Sequence, residues 1–470
     1  MNHLLTLRLT LLLLLVCLTG SAPAQPLAQR LQRLLGEPVL RQSEVGMAVY
    51  DLDADTLVFA HQAEKLYRPA SVQKLVTTLT ALTRLGTDCE VRTDVFADGA
   101  VDADGTLQGD LYVRGGFDSE FGDADMERLA DCVARAGIRS IGGRLVGDVS
   151  MKDSLYYGEG WSWDDARFDF QPCLTPLVYR RGCVRVTVRP TARGEEPVVT
   201  VEPASDCYTV DNRAVSHVPG AGRLVVTRDW MYQSNALLIR GNAARRVERE
   251  VPLFAPEQYF LSVLADRLRA RGIETGVTDL GRVPEGARRL GGTARPLTDL
   301  VRRALKKSDN LAAEAVFYRL AHSLHPERPA TAADGAEVIG TAIRALGRDP
   351  EDYNVADGSG VSLYNYLSPD LLLAFLRSAY RDPQVFAALW DALPVAGVDG
   401  TLAHRMKASP AHRRVRAKTG TLTGVSSLAG YARTEDGRML AFVIINQNVL
   451  RGARARAFQD KVARELVVKD

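Results

Sequence analysis

The stretch RPASVQKLVTTLTALTRLG, residues 68–86, joins a small-residue turn to an amphipathic helix. Its apolar residues recur at the spacing of one buried helix face: Val72, Leu75, Val76, Leu79 and Leu82. Residues i and i+3 share a helix face, so the side chains of Ser71 and Lys74 are predicted to lie side by side at the first turn. Serine needs a base to become a nucleophile, and a lysine whose pKa is lowered can accept its proton. The alternative is a serine N-cap followed by an ordinary surface lysine, and this spacing alone does not decide between them.

Two further polar stretches also combine chemistry with turn signals. KKSDNLAAE, residues 306–314, places Ser308 and Asn310 in a tight turn that opens a helix, where both side chains can be held toward a cleft. RAKTGTLTG, residues 416–424, precedes a strand and contains Lys418, Thr419, Gly420 and Thr421. A lysine and two hydroxyls can bind a carboxylate, and glycine lets the backbone of a ligand come close. Taken singly, the first stretch is more often a plain helix N-cap, and the second is equally a β-turn.

The three stretches together form a specific set. S-x-x-K, S-D-N and K-T-G are the motifs of penicillin-binding proteins and class A β-lactamases. Beyond them, nearly the whole chain resembles the class C low-molecular-weight penicillin-binding proteins, the D-alanyl-D-alanine carboxypeptidase/D-alanyl-D-alanine endopeptidase family. The resemblance is carried, in the family's order, by RPASVQKLVTT, GDLYVRGG, GRLVGDVSMKD, GWSWDD, KKSDNLAAEAV, VADGSGVSLYNYLSP, LPVAGVDGTLAHRM and RAKTGTLTGVSSLAGY.

The resemblance implies an α/β fold, a serine penicillin-recognising (β-lactamase/transpeptidase-like) domain with helices around an antiparallel sheet and inserted β-rich subdomains. The residue pattern agrees, because helix and strand signals dominate residues 25–90 and 251–470, whereas residues 91–250 contain short alternating runs punctuated by glycine. We therefore expect a discontinuous catalytic domain whose two ends share a sheet, interrupted by a β-rich insertion at 91–250.

The resemblance also implies roles for matching residues. Ser71 would be acylated, Lys74 would be the base, and Ser308 and Asn310 would assist proton transfer and hold the substrate. The K-T-G stretch would bind the terminal carboxylate of the substrate through Lys418, Thr419, Gly420 and Thr421. The backbone N–H groups of Ser71 and Thr421 would form the oxyanion hole.

The inserted region of this family approaches the free amino end of the substrate, and three residues here match it: Asp148, Trp161 and Trp163. A tryptophan in GWSWDD is more often a packing anchor. Asp357 to Gly360, DGSG, reads as a structural turn near the cleft.

Composition and targeting signals narrow the setting. The chain has 470 residues, of which 46% are hydrophobic and 25% charged, with 59 basic against 57 acidic side chains, so nothing predicts nucleic acid binding. Residues 1–24 read as a secretory signal peptide with Arg8, an apolar run and a small-residue cleavage site before Gln25. We expect a periplasmic protein, loosely associated with the membrane or wall. Neither CxxC nor HExxH occurs, so no metal or cofactor is expected.

The expected function is that of a serine-type D-Ala-D-Ala carboxypeptidase or endopeptidase acting on peptidoglycan peptides, with β-lactam antibiotics as covalent inhibitors. A serine β-lactamase is one alternative, but it would lack the long insertion and carry a dedicated deacylating acid. A non-catalytic peptidoglycan-binding protein is another, against which the intact motifs argue. The balance of the two peptidase activities, the diamino acid of the stem peptide, the pairing of the five mature cysteines and the formation of a homodimer stay open.

Overall fold

The computed structural model describes residues 25–469, so the predicted signal peptide lies outside the described residues. The helices are α1 Leu27–Leu34, α2 Gln73–Leu85, α3 Asp123–Arg135, α4 Pro256–Arg269, α5 Leu297–Lys306, α6 Asn310–His322, α7 Ala332–Ala345, α8 Pro369–Arg381, α9 Pro383–Ala392 and α10 Gly452–Val467. The strands of the first half are β1 Glu44–Asp51, β2 Thr56–His61, β3 Glu90–Asp98, β4 Thr106–Leu107, β5 Asp110–Arg114, β6 Ser140–Ile141, β7 Leu145–Asp148, β8 Cys183–Arg189 and β9 Val198–Glu202. Those of the second half are β10 Thr209–Ser216, β11 Val225–Arg228, β12 Ala236–Ala243, β13 Val247–Pro252, β14 Thr278–Leu280, β15 Arg288–Pro296, β16 Val415–Leu422, β17 Gly424–Arg433 and β18 Met439–Val449.

One five-stranded antiparallel sheet joins the two ends of the chain, in the order β16-β17-β18-β1-β2. Strand β1 pairs with β18 so that Val49 lies opposite Phe442, which confirms that both ends share a sheet. Side chains alternate between the two faces of a strand. Val49 therefore packs in the core beneath α1 and α10, and its neighbour Ala48 packs in the core of α2 and the helices α5 to α9.

A second five-stranded sheet, β14-β7-β5-β3-β15, forms the inserted region together with two three-stranded sheets and a two-stranded one. The insertion reaches further along the chain than residue 250, because β15 pairs with β3 and sets Pro296 opposite Glu90. Helix α4 also belongs to it, since Leu261 and Leu264 are buried in the core of the insertion. The predicted boundary at 250 is therefore wrong: the helical period of α4 is the same whichever core the helix packs against.

The insertion leaves and rejoins the catalytic domain at one point. There the backbone N–H of Leu297 donates a hydrogen bond to the carbonyl of Cys89, 2.8 Å away. All five cysteines of the described chain are free thiols, so Cys173 and Cys183 do not pair with each other. Among residues 25–469 no helix is long and apolar enough to cross a membrane.

Candidate active site

The start of α2 brings the first two motif residues into contact. A 3₁₀ turn, Ala70–Val72, carries Ser71 directly in front of the helix, and Lys74 lies in the first helical turn. Lys74 Nζ is 2.9 Å from Ser71 Oγ, which confirms the predicted adjacency. The lysine side chain is completely buried. Its amine is therefore surrounded by protein groups and is not solvated by bulk water.

Two more acceptors fix the Lys74 amine. Its Nζ donates to Asn310 Oδ1 at 2.7 Å and to the carbonyl of Ser359 at 2.7 Å. Burial lowers the pKa of Lys74 to about 8, against the opposing charges of Asp357, Glu314 and Asp309. At neutral pH about a tenth of the molecules then carry the free base that can take a proton from serine.

The DGSG turn is what aims the Ser359 carbonyl at Lys74. The buried Asp357 carboxylate accepts hydrogen bonds from the backbone N–H groups of Gly360 at 2.7 Å and Ser362 at 2.6 Å. It also accepts from Asn365 Nδ2 at 2.7 Å and from Trp161 Nε1 at 2.8 Å. The structural turn predicted from the sequence is therefore part of the support of the site, and Trp161 is fixed against it.

A buried acid, Glu314, holds the same turn from α6. It accepts the backbone N–H groups of Gly358 at 3.2 Å and Ser359 at 2.8 Å. Burial, followed by the charge of Asp357, raises the pKa of Glu314 to about 8. Sequence reasoning missed this residue, because a glutamate inside a helix is ordinarily a surface residue. The one signal in the sequence was its spacing: Glu314 follows Asn310 by four residues, which puts both on the same face of the helix.

The S-D-N turn brings Ser308 to the third motif. Ser308 has a φ of +57°, and Asp309 caps α6 by accepting the backbone N–H of Ala312 at 3.0 Å. Lys418 Nζ donates to Ser308 Oγ at 2.8 Å, so the structure joins the second and third motifs by a direct hydrogen bond. Burial and the neighbouring charge of Lys74 hold the pKa of Lys418 well below its usual value.

The edge strand β16 runs along Ser71 and closes one side of a cavity of about 310 Å³. Motif residues lining it are Ser71, Ser308, Thr419, Gly420 and Thr421. The approach of the strand depends on glycine, because a Cβ at position 420 would overlap Ser427 Oγ and lie 3.0 Å from the backbone nitrogen of Ser71. The cavity thus has a nucleophile with its base buried behind it, the hydroxyls of Ser308, Thr419 and Thr421, and space for the backbone of a ligand.

Comparison with known proteins agrees with this geometry. The family model for D-Ala-D-Ala carboxypeptidase 3 (S13) matches residues 27–467. The chain belongs to this family. It is 30% identical to a D-alanyl-D-alanine carboxypeptidase of Actinomadura sp. (strain R39), over 97% of this chain and 88% of that one.

A second relative and its structure extend the comparison within the S13 family. The chain is 28% identical to the D-alanyl-D-alanine carboxypeptidase DacB of Haemophilus influenzae, over 85% of each chain. The crystal structure of penicillin binding protein 4 (dacB) from Haemophilus influenzae superposes with a TM-score of 0.82 at 25% identity, covering 94% of this chain and 98% of that one. The expected penicillin-recognising α/β fold is thereby confirmed.

Two residues predicted from the S13 resemblance to bind substrate lie apart from the cavity at Ser71. Asp148, at the end of β7, accepts hydrogen bonds from Arg114 Nε at 3.1 Å and from the backbone of Ser150 and Val283. Burial alone would raise the pKa of Asp148, but these hydrogen bonds outweigh it and lower the pKa. Trp163 is exposed and packs against Trp230, with ring centroids 5.1 Å apart. Neither Asp148 nor Trp163 lines the cavity at Ser71.

Other cavity residues carry no motif and were missed from the sequence: Thr401, Arg405, Ser426 and Arg456. Thr401 Oγ1 accepts a hydrogen bond from Thr419 Oγ1 at 2.8 Å. Arg405 is held by Asp460 at 2.6 Å, whereas Arg456 is exposed at the cavity. An additional contact comes from the insertion, where the carbonyl of Phe170 accepts a hydrogen bond from Asn310 Nδ2 at 2.6 Å. Only the GTLAHRM stretch of the family resemblance pointed toward Thr401 and Arg405.

Proposed function

We propose that this protein is a serine D-Ala-D-Ala peptidase that forms an acyl-enzyme on Ser71. Its substrates are the D-Ala-D-Ala ends of peptidoglycan stem peptides or the D-amino-acid cross-links between them, so that it acts as a carboxypeptidase, an endopeptidase or both. The observation that carries this proposal is the 2.9 Å contact between Ser71 Oγ and the buried Lys74 amine. Membership of the S13 family supports the reaction class.

Acylation starts with the free-base form of Lys74, which takes the hydroxyl proton of Ser71 as Oγ attacks the carbonyl carbon of the scissile peptide bond. The backbone N–H groups of Ser71 and Thr421 stabilise the negative oxygen that forms, an effect of about 10²- to 10³-fold in rate per donor. The proton passes to the leaving amine, the C–N bond breaks, and the D-alanine or cross-linked peptide departs. Water then attacks the ester and restores Ser71.

Proton transfer to the leaving group has a path through Ser308. Its Oγ is hydrogen-bonded to Lys418 Nζ at 2.8 Å, and Ser308 lines the same cavity as Ser71. The terminal carboxylate of the substrate is bound by Lys418 and by the hydroxyls of Thr419 and Thr421, while Gly420 lets its backbone approach. An anionic substrate raises the pKa of Lys418 again, so binding and charging of this lysine are coupled.

The same chemistry predicts covalent inhibition by β-lactams, since Ser71 attacks their strained amide and the acyl group stays attached. The test is the intact mass of the protein after brief exposure to a penicillin, followed over hours. We expect one stable adduct on the wild type and on Ser378→Ala, an exposed serine on α8. Ser71→Ala is expected to form none.

Two other outcomes would contradict the proposal. An adduct that is lost within seconds would indicate a β-lactamase, and an unlabelled wild-type protein would indicate a non-catalytic peptidoglycan-binding protein. Release of D-alanine from a stem peptide, compared with cleavage of a cross-linked dimer, separates carboxypeptidase from endopeptidase activity.

The periplasm is the proposed location, supported by the signal-like residues 1–24 and tested by cell fractionation and by the N-terminal mass of the mature protein.

The inserted region is proposed to face the acyl side of the substrate. Its supporting contact is the hydrogen bond between Asn310 Nδ2 and Phe170, together with Trp161 on the Asp357 turn. Asp148 acts there by positioning Arg114 and the loop at Val283, since its own oxygens are hydrogen-bonded.

A further inference from the structure

An exposed aromatic surface lies on the inserted region. It is built by the loop at 161–171 and by the turn Trp230–Tyr232. The exposed fractions of its side chains are 70% for Trp163, 40% for Phe168, 44% for Phe170, 64% for Met231 and 80% for Tyr232. Single exposed apolar side chains are ordinary, but a contiguous set marks an interaction site.

Ring contacts connect four aromatic side chains of this surface. Trp163 and Trp230 have centroids 5.1 Å apart, and Phe168 and Phe170 are stacked at 5.3 Å with 15° between their planes. The Arg167 guanidinium bridges the two pairs, at 4.7 Å from the Phe168 ring and 5.9 Å from the Trp230 ring. We name Trp163, Arg167, Phe168, Phe170 and Trp230 the aromatic platform.

The platform begins at the catalytic cluster. The backbone carbonyl of Phe170 accepts a hydrogen bond from Asn310 Nδ2 at 2.6 Å, and the Oδ1 atom of the same asparagine accepts from Lys74 at 2.7 Å. From there the rings continue to Trp163 in steps of 4.7 to 5.9 Å. The loop that carries these rings is therefore in direct contact with the residues that hold Lys74 beside Ser71.

We propose that the aromatic platform binds sugar rings of the peptidoglycan glycan strand, a proposal that rests on the peptidase function above. The stem peptide is joined to a sugar at its amino end. The four residues on the acyl side of the scissile bond span at most about 14 Å when extended. This length corresponds to about three of the distances between neighbouring platform groups. The apolar C–H face of a pyranose ring stacks on an aromatic ring, as flat apolar groups do in protein sites.

Charged groups within the same loop favour a sugar over other occupants. Asp164, Asp165 and Asp169 alternate with the rings and with Arg167, so hydroxyl groups find both acceptors and donors beside an apolar face. Three carboxylates against one guanidinium would repel the anionic surface of a bilayer. The chemistry of the platform therefore fits a polar, uncharged ring with one apolar face.

The test measures binding of peptide-free glycan strands, prepared by removing the stem peptides from sacculi with an amidase. Tryptophan fluorescence of the full mature chain is titrated in a Ser71→Ala background, so that binding is measured without catalysis. We expect Trp230→Ala to weaken binding about three- to tenfold, the size of one lost ring contact. Trp163→Phe, which keeps an aromatic face, should retain most of the affinity, and Leu450→Ala, an exposed side chain outside the platform, should retain all of it.

Activity assays with Ser71 intact complete the test. Trp230→Ala should keep the penicillin acylation rate and the kcat/KM for a soluble D-Ala-D-Ala peptide, but release less D-alanine from intact sacculi. Absence of glycan binding by the wild-type chain would overturn the proposal, as would an equal loss on soluble peptide and on sacculi. Dimers that Trp230→Ala dissociates, without glycan binding, would assign the platform to a second copy of the chain instead. Glycan binding without any acylation of Ser71 would overturn the peptidase function alone.

Discussion

Gly420 allows strand β16 to lie close to Ser71, and its replacement by alanine gives a quantitative test of the site. The glycine has an ordinary backbone φ, so the cost of a side chain there is steric and not conformational. A Cβ would overlap Ser427 Oγ and come within 3.0 Å of both the Ser71 nitrogen and the Pro69 carbonyl oxygen. The edge strand must then move away from Ser71, and the N–H of Thr421 moves with it.

A displacement on the order of 1 Å at an oxyanion donor costs about 10²-fold in rate. We therefore expect Gly420→Ala to lower the second-order rate of acylation by a fluorescent penicillin about 10²- to 10³-fold. The melting temperature should fall by only a few degrees, because β16 is an edge strand that can shift. Adding Ser427→Ala removes the overlapping hydroxyl and should restore part of the rate.

The matched control is Gly220→Ala, a glycine of the insertion whose added Cβ would meet no atom within 4 Å. It should acylate at the wild-type rate. Acylation of Gly420→Ala within threefold of wild type would refute the argument that β16 is held at its closest approach to Ser71. Additive effects of Gly420→Ala and Ser427→Ala would refute the steric cause.

Two further predictions concern the groups behind Ser71. Lys74 must be the free base, and its pKa lies at about 8. The rate of acylation by a penicillin, measured by stopped flow, should therefore rise about tenfold per pH unit below pH 7 and level off above about pH 9. A rate that does not change with pH would contradict Lys74 as the base. Asp357→Asn should lower the free energy of unfolding by about 3 kcal/mol in urea, because buried donors lose their charged acceptor. The control Asp391→Asn, which breaks an exposed ion pair with Arg302, should change the free energy of unfolding by less than about 1 kcal/mol. Equal losses of stability in the two variants would contradict a stabilising role for the Asp357 turn.

The sequence predicted those parts of the site that depend on local geometry. The i, i+3 spacing placed Lys74 on Ser71, and alternating apolar strands at both ends predicted the shared sheet in which Val49 faces Phe442. Contacts between distant motifs were predicted only as a family resemblance. The hydrogen bond from Lys418 to Ser308 depends on how the K-T-G strand packs against the start of α6, which no local pattern contains.

The sequence failed where the same local pattern serves two environments. Helix α4 has the apolar period of any amphipathic helix, so its place in the insertion could not be read from residues 256–269. Glutamate is usually a surface residue, yet Glu314 is buried because its carboxylate has two backbone donors from the Asp357 turn. Burial of a polar residue is decided by its partners, and those partners are distant in the chain.

The hydrogen bond between Leu297 and Cys89 bears on the order in which the polypeptide folds. Helices α2 and α5 pack in one core although the whole insertion separates them in sequence. Closing a flexible loop of that length costs roughly 5 kcal/mol in chain entropy. Once β3 and β15 have paired, the two ends of the insertion are already neighbours, and the loop that the catalytic core must close shrinks to a single hydrogen-bonded junction. We therefore expect the insertion to gain protection from hydrogen exchange before the catalytic core does during refolding, so that the nucleophile at Ser71 is assembled last.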